Sequence, residues 1–299
     1  MYRIRVVLRR LLLIAVPTLS LTLGACGGDD GPTQPTAARV STTTPAATPR
    51  PATTPQRDTS PQRDTIGRIA STDGVRQRVL GRRARTVTVL EGAGQSAGAR
   101  PVVVFLHGWG AIDPRFYAPW LVHLVRGGST VIYPRYQSSV ITSPATVLGN
   151  TVAALRTAFA VVPPADGRLV VAGHSAGGAL GADYAAMARD KRLPVPAAVF
   201  SVYPGRSLRG GPAVIPPVDQ SGIPAAVRIL ALGSEADETV GTATARQIGR
   251  LGRYVRVTDA RVDDHLAPLR TDRVAQATFW APLDRLIERA RRAAGGRSR

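Results

Sequence analysis

In Gly173-His174-Ser175-Ala176-Gly177 a serine stands between glycines, where an apolar run ends and a run of alanine and glycine begins. A serine hydroxyl is a weak nucleophile until a base takes its proton, and the base in turn needs a carboxylate to hold its tautomer. The chain offers four histidines as bases. His174 lies inside the pentapeptide, His107 at the end of an apolar run before Gly108-Trp109-Gly110, and His123 within a helical pattern. His265 lies late in the chain, in Arg-Val-Asp-Asp-His-Leu-Ala-Pro. Glu235 and Asp237 stand in Ser-Glu-Ala-Asp-Glu-Thr-Val, just after the apolar run at 227–233. Asp263 and Asp264 are too close in sequence to His265 to reach its ring comfortably. The backbone N–H of Ala176, directly after the serine and at a helix N-terminus, is placed to stabilise a developing oxyanion.

These residues need rigid elements to bring them together. The stretch 85–92 alternates apolar and polar residues, as a half-exposed strand does. The runs at 101–108, 129–134, 168–173, 197–203, 227–233 and 254–260 are short, continuous and rich in β-branched residues, which suits buried strands of a parallel sheet. Helical patterns fill the intervals at 116–127, 145–161, 176–189, 239–251 and 274–292. Strand alternating with helix predicts an α/β fold with a doubly wound, mostly parallel sheet, in one domain over residues 66–295.

In this setting the pentapeptide is a sharp strand–helix turn that presents its serine at the edge of the sheet. It resembles the nucleophile elbow of the α/β-hydrolases, and the resemblance extends over the whole folded domain. It implies Ser175 as nucleophile and His265, just after the last strand, as general base. It implies Asp237 as the acid, with Glu235 as its nearest competitor. The order Ser175, Asp237, His265 is the chain order of that superfamily. By resemblance to hydrolases with an H-G-x motif, the second oxyanion donor is the Trp109 N–H in His107-Gly108-Trp109-Gly110. The departure from H-G-G-G leaves open which N–H points inward and whether Trp109 is instead a wall of the acyl pocket. His107 reads as a brace for the loop. The resemblance implies neither cofactor nor metal.

The N-terminus is of another kind. Residues 1–25 join a basic start (Arg3, Arg5, Arg9, Arg10) to an apolar stretch and small residues, a secretory signal pattern. Leu23-Gly24-Ala25-Cys26 resembles the lipobox of bacterial lipoproteins, which implies cleavage before Cys26 and lipidation of its sulfur. The expected location is the cell envelope, on the outer face of a bacterial cytoplasmic membrane. Cys26 is the chain's single cysteine, so no disulfide can form within it. Residues 26–65, dominated by Thr, Pro and Ala with Pro-Gln-Arg-Asp-Thr twice, read as a disordered tether. A flexible coil of that length spans about 35 Å.

The chain of 299 residues carries a formal charge of +19, nearly all arginine because Lys191 is the one lysine. Removing four arginines and no acid with the leader leaves +15, from 19 − 4. The arginines are scattered, few aromatics lie among them, and no nucleic-acid module is visible, so no nucleic-acid partner is expected. The expected partners are a membrane, through lipidated Cys26, and a small-molecule or polymeric ester. Arg206 and Arg209, in the helix-poor stretch 204–226, either face an anionic substrate or are solvated. The favoured function is a serine hydrolase cleaving carboxylic esters through an acyl-enzyme. The alternatives are a peptidase or cofactor-free lyase on the same fold, or a non-catalytic envelope-binding lipoprotein.

Overall fold

A computed structural model of the chain describes residues 74–93 and 100–296. The expected leader (1–25), Cys26, the tether to residue 65 and positions 66–73 of the expected domain lie outside the described residues.

Eight strands form one sheet in the order β1-β2-β4-β3-β5-β6-β7-β8. β1 (Val75–Leu80) and β2 (Val87–Gly92) are antiparallel to each other, and β2 is antiparallel to β4. β3 (Val102–Leu106), β4 (Thr130–Pro134), β5 (Leu169–His174), β6 (Ala198–Val202), β7 (Arg228–Gly233) and β8 (Arg253–Arg256) run parallel. The mostly parallel α/β sheet expected from the sequence is therefore present. The strand β1 was not expected: its Val-Arg-Gln-Arg-Val-Leu is half polar because it forms an edge, with no residue fully buried.

Alternation along the strands assigns the two faces. Val103, Phe105, Val170 and Ala172 enter one core with Trp120, Leu121 and Leu124 of α1 (Ala118–Arg126) and Leu283 and Leu286 of α5 (Ala281–Gly295). Val102, Val104, Leu106 and Val171 enter the other, with Val147 and Leu155 of α2 (Pro144–Phe159) and Leu180 and Tyr184 of α3 (Ala176–Met187). Both faces of the central strands are covered, which is why they read as unbroken apolar runs. Burying each large apolar side chain contributes roughly 1.5–3 kcal/mol.

Two helices differ from expectation. The stretch expected from 239 becomes helical only as α4 (Ala243–Gly249). Upstream, the Asp237 carboxylate takes the N–H groups of Thr239 and Val240, at 2.9 and 3.2 Å, and holds a turn there instead. The last helical stretch begins with a single turn, Arg273–Ala275, capped by Asp272, then a wider π turn, Gln276–Trp280, before α5.

Candidate active site

β5 runs directly into the site. Ser175 has φ 57° and ψ −124°, a conformation side chains rarely adopt and one costing about 1–3 kcal/mol. Its surroundings hold it there: Ser175 N–H donates to the Val202 carbonyl at 3.0 Å, and the Ser175 carbonyl accepts from Gly178 and Ala179 of α3 and from Gly205. The flanking glycines are obligatory. A Cβ on Gly173 would lie 2.2 Å from the Gly177 carbonyl oxygen, and one on Gly177 would lie 2.1 Å from that of Leu106. Only bare backbone lets strand and helix close around the turn.

The structure brings the three widely separated residues into contact. The Ser175 hydroxyl donates to His265 Nε2 at 2.9 Å, and His265 Nδ1–H donates to Asp237 Oδ2 at 2.8 Å. Asp237 is fully buried, and its other oxygen accepts the Thr239 and Val240 N–H groups, so both its oxygens are occupied. Glu235 is elsewhere: it pairs with Arg246 at 2.5 Å on the surface. Asp264 caps its own turn, accepting from Leu266 N–H at 2.9 Å.

Of the Gly108-Trp109-Gly110 amides, two are already engaged. Gly108 N–H donates to the Tyr117 hydroxyl at 3.0 Å, and Gly110 N–H to Gln137 Oε1 at 3.1 Å. Among the described residues Trp109 N–H has no acceptor, and neither has Ala176 N–H in the first turn of α3. The Trp109 indole is tied back, donating to the Val140 carbonyl at 3.0 Å.

The remaining histidines have other work. His107 stacks on Tyr136, ring centroids 4.2 Å apart, and its Nδ1–H donates to the Gly108 carbonyl at 2.7 Å. Burial lowers it to about 4, so it is neutral. His174 is also buried. Its Nε2–H donates to the His265 carbonyl at 2.9 Å, and its bare Nδ1 accepts from the Tyr117 hydroxyl at 2.7 Å. Burial, and then the neighbouring His265 ring, push it well below its ordinary value, which keeps Nδ1 free to accept. The run Gly108 N–H, Tyr117 O–H, His174, His265 carbonyl thus ties the glycine loop to the turn and to the backbone of the candidate base. His123 is on α1 and pairs with Asp284 of α5 at 2.9 Å; that hydrogen bond raises its proton affinity.

Sequence reasoning missed Tyr117, since nothing in its local pattern marks a residue 57 positions from His174 as its partner. It also misread Arg206, which neither faces a substrate nor lies in solvent. The guanidinium grips the buried Asp183 of α3 at 2.6 and 2.8 Å and the Pro216 carbonyl at 2.9 Å. Desolvation nonetheless raises Asp183 above the usual carboxylate value, outweighing the arginine. The pair pins the start of the 204–226 stretch to the helix that follows Ser175. Among the described residues, no group of three or more His, Cys, Asp or Glu could hold a metal ion.

Residues 103–223 match a family model described as an alpha/beta hydrolase fold. The match includes Ser175 and Trp109 and ends before Asp237 and His265. No curated protein matches the chain in sequence. Among solved structures, esterase B from Lactobacillus rhamnosis superposes with a TM-score of 0.58 at 13% identity, covering 76% of this chain and 89% of that one. A thermophilic esterase from Thermogutta terrifontis gives 0.53 at 19% identity, covering 73% and 92%. A fungal esterase from Rhizomucor miehei gives 0.55 at 18%, covering 74% and 84%. At such identities the likeness is one of fold, and with the sheet order and the strained turn after β5 it leads to one statement: the chain has the α/β-hydrolase fold.

Proposed function

We propose that the protein is a serine hydrolase that cleaves carboxylic esters through an acyl-enzyme. The observation that carries this reading is the unbroken hydrogen-bonded run from Ser175 Oγ through His265 to buried Asp237, beside two unengaged N–H groups. As Ser175 Oγ attacks the ester carbonyl, His265 Nε2 takes the hydroxyl proton, and the Asp237 carboxylate stabilises the resulting imidazolium. The carbonyl oxygen becomes an anion that accepts from the Trp109 and Ala176 N–H groups, which have no other acceptor among the described residues. Collapse of the tetrahedral intermediate breaks the bond to the alcohol oxygen, which leaves with the proton from His265. Water then gives a proton to His265 as its oxygen attacks the acyl carbon, and the bond to Ser175 Oγ breaks as His265 returns that proton to Oγ, releasing the acid and restoring the serine. The reading gains support from neighbours of the same fold that are esterases.

The substrate is a small-molecule or polymeric ester. Cys26, cleaved at its N-terminal side and lipidated, holds the enzyme on the outer face of a bacterial cytoplasmic membrane, and residues 27–65 tether it. Two acyl chains on one cysteine suffice for stable anchoring. The test of the reaction is a series of p-nitrophenyl esters of rising acyl length. Hydrolysis that disappears in Ser175→Ala supports the reading, and hydrolysis that persists in that variant overturns it.

A further inference from the structure

Away from Ser175, a cleft of about 370 Å³ opens between the edge of the sheet and the C-terminal helix. It shares no lining residue with the site described above. Leu230 and Leu232 of β7, Val255 of β8 and Leu286 of α5 give it an apolar floor. Arg253 of β8 and Arg285 and Arg289 of α5 stand around it, all three exposed, whereas Arg256 alternates to the other face of the sheet with Tyr254. Among the described residues none of these three has a carboxylate partner, although other arginines of this chain do find one. The one acid lining the cleft, Asp259, is occupied by Arg261 at 2.7 Å.

We propose that this cleft binds the phosphate headgroup of an anionic membrane lipid, with the first carbons of its chains on the apolar floor. An anion in the cleft offers a partner to arginines of both the strand and the helix, and guanidinium suits phosphate through paired N–H donors. A bare inorganic anion makes no use of the leucines, whereas a headgroup carrying alkyl chains uses both parts. A second copy of the chain is a poor occupant. Antiparallel pairing of two β8 edges, centred on the strand, sets Arg253 against the copy's Arg256, and like charges directly opposite destabilise a ladder. The size also fits, since small-ligand sites fill roughly 300–1,000 Å³. The inference is independent of the proposed ester chemistry.

The test is sedimentation of the full chain with vesicles of phosphatidylcholine alone or with one part phosphatidylglycerol to two of phosphatidylcholine, in physiological salt. The quantity read is the ratio between the two vesicles, because every variant shares the same N-terminal segment. Each arginine lost near an anionic surface lowers binding by a factor of about 5, so R285E/R289E is expected to lower the ratio by about 30-fold or more. R76E/R82E changes net charge equally on the opposite edge of the sheet and is expected to change the ratio far less. An equal fall in both double variants, or no fall in R285E/R289E, overturns the proposal. Should charge reversal shift the melting temperature, R285Q/R289Q replaces it with the same expectation. Short-chain phosphatidylglycerol is expected to displace the protein from the vesicles at concentrations where glycerol phosphate does not. Equal displacement by both overturns a lipid occupant in favour of a plain anion.

Discussion

Replacing Tyr117 by Phe removes one oxygen and leaves two groups without partners. The Tyr117 hydroxyl accepts from Gly108 N–H at 3.0 Å and donates to His174 Nδ1 at 2.7 Å, and the residue is 2% exposed. Each buried polar group left unsatisfied costs about 1–3 kcal/mol, so the loss of both ends predicts destabilisation of about 2–6 kcal/mol. The ring itself keeps its packing against Phe105, 4.9 Å away between centroids, so little of the cost comes from a cavity. Activity is expected to fall with it, because the same hydroxyl fixes Gly108 next to the Trp109 N–H and fixes His174, which holds the His265 carbonyl. A loosened donor acts on the transition state, so kcat should drop about tenfold or more while KM changes little. Urea denaturation of the full chain and steady-state hydrolysis of a p-nitrophenyl ester measure the two effects. Destabilisation below about 0.5 kcal/mol with unchanged kcat refutes the reasoning, because a surface-like cost means the hydroxyl was not completing a buried network.

Asp237→Asn is expected to lower kcat by several orders of magnitude by favouring the wrong His265 tautomer, while Glu235→Gln is near neutral; the reverse ranking would move the acid by two residues. His107 is held at about 4 against 6.5 by burial, so protons bind the unfolded chain first and stability is full above pH 6.5 and drains as pH falls toward 4. By about pH 5 this histidine alone removes about 2 kcal/mol, and buried His174 adds to the loss; equal urea midpoints at about pH 8 and about pH 5 would contradict this. Cys26→Ser is expected to release the protein into the medium or stall its processing, read by membrane fractionation; a mature-length variant still in the membrane would remove the lipid-anchor proposal.

The central strands were legible because both their faces are covered, which forces unbroken β-branched runs such as Val102–Leu106. The edge strand β1 was not, since an edge with polar alternation has the same look as a loop. The strand–helix turn at Ser175 showed in its two glycines, and the structure gives each a backbone atom that a side chain would strike. The string alone would have misled: Gly94-Gln95-Ser96-Ala97-Gly98 has the same pattern, outside the described residues, but Arg100-Pro101 follow it where a run of alanine and glycine follows Ser175. The choice between Asp237 and Glu235 rested on resemblance, because two acids two residues apart on one loop differ only in which one the fold buries. The Tyr117–His174 link and the Arg206–Asp183 pair were out of reach, since each joins elements whose approach only the folded chain creates.

The most direct measurement of the central claim is covalent labelling with a fluorophosphonate, followed by mass spectrometry of the peptide that carries the probe. The account predicts one labelled residue, Ser175, with labelling slowed by orders of magnitude in His265→Ala and absent in Ser175→Ala. Label on any other serine, Ser96 included, or undiminished labelling in His265→Ala, would contradict it.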